Sequence, residues 1–221
     1  MAEPNLKYEH VGVVFLGSFN PQIFQPAWLA AEKLIRKEEA DAAKVQVIHP
    51  EVTAFSLEWA TLQVTHERFK LETTTEQRFS PELIRDLTLG IFRLLSHTPI
   101  KQIGLNRVFH FQVESEDVWH AIGHRLVPKK DWDGILERPG TRIVAVQGVR
   151  PDRYQGRILV QLEPSVKFHP GVFAMVNDHF EKEESDSREG AAAMLEIVEQ
   201  HWQESLERAH KIVYTLMSRI V

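Results

Sequence analysis

"KVQVIHPEVTAFSLEWATLQVTHERFKLETTT", residues 44–75, is the stretch whose reading decides the fold. β-Branched and aromatic residues crowd it, and they alternate: Val45 and Val47, then Phe55, Leu57 and Trp59, then Leu62 and Val64. Alternation with period two lays one row of side chains on each face of a strand. The apolar phase changes at Ala60-Thr61, and a slip of one residue would turn every later side chain to the opposite face. A turn or bulge must intervene, so two or three antiparallel strands are expected here.

On the N-terminal side, residues 8–19 read as a strand and 26–40 as an amphipathic helix. Pro26 suits the first helical turn, and Trp28, Leu29, Ala31, Leu34 and Ile35 form its apolar stripe. On the C-terminal side, Ser80 is placed to cap a helix that starts at Pro81 and aligns Leu83, Leu87, Ile91, Leu94 and Leu95. The order then recurs. "IKQIGLNRVFHFQV" is a long strand and "SEDVWHAIGHRLV" a helix capped by Ser115. "TRIVAVQGVR" and "RILVQLEPSV" form a hairpin around residues 151–156, and "GVFAMVNDHFE" is a further strand. An acidic connector at 181–190 leads into a helix from about Ala191 to Ile220. The fold class is therefore α+β: a curved antiparallel sheet built from two similar β-α-β-β-(β)-α halves, 1–99 and 100–221, packed as one unit with helices on one face. The shared order suggests an internal duplication, although the halves show no residue-level identity.

Composition narrows the function. The chain of 221 residues has no cysteine, which excludes disulfides, thiolate metal sites and cysteine nucleophiles and fits a reducing, cytoplasmic setting. No stretch approaches the roughly 20 apolar residues of a membrane span. Net charge is −5, and no segment has the basic excess that sequence-independent nucleic-acid binding requires. A nucleic-acid-binding saddle is kept as an alternative, but it needs an Arg-rich, aromatic face.

The turn Gly17-Ser18-Phe19-Asn20-Pro21 resembles the phosphate-binding first turn of the nucleotidylyltransferase superfamily. That resemblance implies a nucleotide-handling enzyme in which Gly17, Ser18 and Asn20 contact the nucleotide. The superfamily's two histidines should follow, yet Gln22 to Trp28 contains none, and Ile23 and Pro26 cannot stabilise charge on phosphorus. Strand-turn-helix punctuation accounts for the same letters, since proline ends a strand and disfavours helix in the residue before it. A second resemblance covers residues 62–111. The run "LQVTHERFKLETTT", a helix and "IKQIGLNRVFHF" look like a sporadically distributed, uncharacterised prokaryotic family, which implies no activity.

Three constellations could carry chemistry; one is Asn177-Asp178-His179, a carboxylate and an imidazole at a strand end, although adjacent strand residues point to opposite faces and a strand running into a polar loop accounts for the same letters. Glu116, His120 and His124 recur every fourth residue on one helix, and with His110 they could ligate a divalent metal; a solvated stripe is the competing account. Arg142, Arg150, Arg153 and Arg157 cluster around the predicted hairpin and would suit a phosphate or carboxylate if they shared a face. Along the last helix, Leu195, Val198, Trp202, Leu206, Ala209, Val213, Leu216 and Ile220 make a stripe longer than a small sheet can cover. Its end, Val213, Leu216 and Ile220, is expected to contact a second subunit. No cofactor is expected. The reading that results is a binding or interaction protein, recognising a protein, peptide or other ligand through a concave sheet face.

Overall fold

A computed structural model describes residues 5–74, 80–182 and 190–220. The elements, in order, are β1 (Asn5–Gly17), α1 (Pro26–Ala31), α2 (Lys37–Asp41), β2 (Lys44–His49), β3 (Val52–Ser56), β4 (Ala60–Thr65), β5 (Arg68–Thr73) and α3 (Pro81–Leu94). The second half comprises β6 (Ile100–Gln112), α4 (Glu116–Leu126), β7 (Val144–Val149), β8 (Gly156–Pro164), β9 (Gly171–Glu181) and α5 (Ala192–Ile220). Among the described residues all nine strands form one sheet, ordered β2-β3-β4-β5-β1-β6-β9-β8-β7. Every pairing is antiparallel.

Each half begins with a central strand, crosses through helix to the outer edge, and returns strand by strand until the last lies beside the first. β1 and β6, the two opening strands, pair along nearly their whole length and join the halves into one sheet. Residues 44–73 form four strands, where two or three were expected, because Pro50 and Glu51 turn β2 into β3 before the phase change that separates β3 from β4. The helix expected at 26–40 is two short ones. The chain leaves α1 through Lys33 in the left-handed region (φ 60), with the Leu34 N–H donating back to Leu29 O at 2.9 Å.

The helices cover one face of the sheet, over two apolar clusters. In the first, Phe15, Phe24, Phe69 and Phe92 meet ring to ring, with Phe69 and Phe92 edge-on at 4.9 Å. The second gathers Phe109, Phe111, Val172, Ala174 and Val176. Helix α5 spans both: Met194, Val198, Trp202 and Leu206 lie in the first, and Ala209, Val213, Met217 and Ile220 in the second.

The stripe on α5 therefore finds its cover within the chain. The helix has 29 residues, about 43 Å at 1.5 Å per residue. Strand β6, which it follows, has 13 residues, about 44 Å at 3.4 Å per residue. Val213 is 0% and Ile220 7% exposed, so neither is available for the expected subunit contact; Leu216 alone is left half-buried at a groove.

Candidate binding face

Strand alternation divides the sheet. Val11, Val13 and Phe15 of β1, with Ile103, Leu105, Phe109 and Phe111 of β6, point to the helices and belong to the two clusters. Their neighbours Tyr8, His10, Val14 and Leu16, with Asn106, Val108 and His110, point to the other side and belong to neither. On that side β9 presents Phe173, Met175, Asn177 and His179, while β8 presents Arg157, Leu159 and Gln161. No helix of the described residues packs there.

At the centre of this open face a pair of side-chain amides bridges adjacent strands: Asn177 Nδ2 donates to Asn106 Oδ1 at 2.7 Å. Gly104 makes room for it, because a Cβ on Gly104 would stand 2.5 Å from Asn177 Nδ2. Several polar groups of the face pair with one another, while Arg68, opposite Leu16 of β1, stands exposed. Lys70 pairs with Glu72 at 2.6 Å, Arg157 with Glu181 at 3.0 Å, and His179 with Glu181 at 3.1 Å.

One end of the face is closed by the loop between β8 and β9. Ser165 Oγ accepts from the backbone N–H groups of Lys167 (3.1 Å) and Phe168 (3.2 Å), which leaves its own hydrogen to donate to His110 Nδ1 at 2.8 Å. The Lys167 ammonium sits 4.3 Å from the centre of the Tyr8 ring, and His110 packs edge-on against Phe173 at 5.2 Å. Burial, aided by the positive charge of Lys167 and by His10, pushes the His110 pKa down to about 4. His10 is lowered as well, chiefly by burial against the opposing pull of Glu72. Both imidazoles are neutral at pH 7. A serine beside a histidine invites comparison with a nucleophile and its base, but an imidazole this weakly basic is a poor proton acceptor. The pair fastens the loop to the sheet.

The arginines singled out from sequence do not converge. Arg150 is 5% exposed on the helix side. Its guanidinium stacks 3.5 Å above the Phe180 ring, donates to Asp152 (2.6 and 3.0 Å), and is ion-paired with Asp178. Asp178, 1% exposed, also accepts from Ser205 Oγ and from Arg208, each at 2.7 Å. This network ties the β7–β8 loop, β9 and α5 together. Arg157 is on the open face, Arg153 lies 5.4 Å from the Tyr154 ring, and Arg142 is exposed ahead of β7.

The remaining candidates separate too. Glu116 pairs with His169 at 3.1 Å, His120 packs edge-on against Trp119, and His124 lines a cavity of about 170 Å³ between α4 and the sheet. His110 lies on β6 under the Ser165 loop. Among the described residues no group of three or more His, Asp or Glu could hold a metal.

The Gly17–Pro21 turn commits the amides of its first three residues to the fold. The N–H of Gly17 donates to Glu67 O (3.1 Å), that of Ser18 to Pro99 O (3.0 Å), and that of Phe19 to His66 O (2.8 Å). Phosphate cradles are made of free backbone N–H groups, and these three are engaged. Gly17 is demanded by packing, since a Cβ there would stand 2.2 Å from Pro99 O, and Phe19 is buried in the aromatic cluster.

Sequence reasoning passed over Tyr8, His10 and Lys167 and the bonds of Asp178. Period-two spacing of Tyr8 and His10, and of Val108 and His110, was the available signal; their meeting depends on the β1–β6 register. Compared with known proteins, the chain matches no protein-family model and no curated sequence.

Proposed function

We propose that this protein is a binding module that recognises a polypeptide partner through the open face of its sheet. The observation that carries the reading is a nine-stranded sheet whose helices, among the described residues, lie on one side, and whose other face mixes apolar side chains with amides and pairs Lys70 and Arg157 with carboxylates. Leu159, Met175 and Val14 offer apolar area, worth about 25 cal/mol per Å² removed from water. Asn106, Asn177, Gln102 and Gln161 both donate and accept, which suits the peptide groups of a partner. A nucleic acid would need a dense array of uncompensated cations for its phosphates, whereas Lys70 and Arg157 already face carboxylates, leaving Arg68 and Lys167 too few for that role. A nucleotide would need the amides that the Gly17–Pro21 turn uses internally. The chemistry of the face supports binding over turnover, and the absence of cysteine supports a cytoplasmic setting. The common order of the two halves supports an internal duplication. The likeness of residues 62–111 to an uncharacterised prokaryotic family adds no activity to this reading.

The test is a photo-crosslinking residue placed at Met175, in the native cell, with the captured protein identified and purified. Titration calorimetry should then show at least tenfold weaker binding to Met175→Arg and Asn106→Arg, and unchanged binding to Arg125→Glu on α4. An affinity that ignores the two face variants refutes the reading, as does tight, salt-dependent binding of an oligonucleotide.

A further inference from the structure

The two edges of the sheet are built differently. β2, at one end, is blunted in the ways that commonly discourage strand addition: its register shifts between Val45 and Val47, and it carries Lys44 and His49. β7, at the other end, has none of these. Its six residues, Val144–Val149, include no charge and no proline, and its register with β8 is unbroken. Val146 is 62% and Val149 91% exposed. Beside it, between β7–β8 and the end of α5, runs a groove of about 440 Å³ lined by Val144, Val146, Val160, Leu162, Ile212 and Leu216. An uncharged, regular strand at a sheet edge presents a row of backbone donors and acceptors to any strand that matches it.

We propose that β7 is a homodimer interface, pairing antiparallel with β7 of a second copy about a two-fold axis at Val146. The register follows from the strand itself. Partners across an antiparallel ladder share a face, so an apolar row continuous across the dimer requires Val144 and Val146 to meet residues of their own helix-side parity. Centring on Val146 pairs Val146 with Val146, Val144 with Gly148, and Ala145 with Gln147. A Cβ on Gly148 would have nothing within 4 Å, so there is space for the opposing Val144 side chain. Centring instead on Val144 would bring Arg142 opposite Val146. Centring on Gly148 would call on Arg150, which is buried in its ion pairs. Within the overlap, residues 144–148, no charged residues oppose one another; Arg142 and Arg150, which this register aligns beyond it, lie outside the strand, and Arg150 is turned into its own ion pairs. The dimer would join two nine-stranded sheets and extend the open face, whatever that face binds.

The chain has no cysteine, so single substitutions report the register cleanly. Directly opposed residues of an antiparallel pair lie about 4.5–5.5 Å apart at Cα, within disulfide reach. Val146→Cys should therefore oxidise to a covalent dimer of twice the 25.5 kDa chain mass. Val144→Cys should not, because the two copies of residue 144 would be offset by about 14 Å along the strands. Light scattering on the uncrosslinked full chain should find a dimer, with Val146→Lys shifted to monomer and Ile48→Lys, on the other edge, still dimeric; circular dichroism checks that both variants fold. A monomeric wild type at up to about 100 µM, equal crosslinking at 144 and 146, or a dimer that survives Val146→Lys would each overturn the proposal.

Discussion

Replacing Asp178 with asparagine tests whether the buried ion network holds the second half together. The carboxylate is 1% exposed and receives Arg150, Arg208 and Ser205. Asparagine keeps the shape and one acceptor oxygen but removes the charge, leaving the Arg150 side chain, also 1% exposed, with Asp152 as its remaining carboxylate. Removing one partner of a buried pair costs about 3–5 kcal/mol, because the other charge stays desolvated. Asp152 still compensates Arg150, and Glu204 still holds Arg208 at 2.6 Å, so the lower end of the range applies, about 3 kcal/mol. For a chain of this size each kcal/mol moves Tm by about 2–4 °C, which predicts a fall of about 6–12 °C. Thermal and urea unfolding followed by circular dichroism give the measurement. Asp152→Asn, at a carboxylate 19% exposed, should cost no more than about 1 kcal/mol. The double variant Asp178→Asn, Arg150→Met should recover part of the loss by laying an apolar side chain on Phe180. A loss below about 1 kcal/mol for Asp178→Asn, or a larger one for Asp152→Asn, would refute the account of a desolvated charge.

Gly17→Ala should destabilise by about 2–4 kcal/mol, because its Cβ would stand 2.2 Å from Pro99 O, while Ser18→Ala, at an exposed residue, should change little. Neither variant, nor the wild type, should release pyrophosphate from a nucleoside triphosphate with Mg²⁺. Phe69→Ala, which removes the ring that touches Phe15, Phe19, Phe24 and Phe92, should cost about 3–5 kcal/mol in urea unfolding. The His110 pKa is lowered from 6.5 to about 4, so the unfolded state takes up the proton first as pH falls. Its contribution to stability is complete above pH 6.5 and is lost between 6.5 and about 4, and His110→Phe should flatten the pH dependence of unfolding in that window. Metal analysis of untagged protein should find no stoichiometric Zn, Ni, Mn or Fe, and His120→Ala with His124→Ala should shift stability by less than about 0.5 kcal/mol.

The sequence by itself determined the parts governed by neighbours along the chain. Period-two alternation marked β3 and β4, and Ser115 and Pro81 marked the starts of α4 and α3, because strand pleat, capping and proline geometry are local. The α+β class and the recurrence of one order in both halves followed from those elements. Register belongs to the tertiary structure. It was the β1–β6 ladder that brought Tyr8 and His10 beside His110, and the β6–β9 ladder that set Asn177 against Asn106. The same limit explains the arginines: spacing placed Arg150 and Arg157 near one hairpin, while the pleat and the loop sent one inward to Asp178 and the other to the open face. Length misled on α5, where the stripe looked too long for one chain until β6 proved equally long. A side chain's partners across the sheet are fixed by pairings remote in sequence, where a single residue of slip reverses inside and outside, and only the assembled sheet decides them.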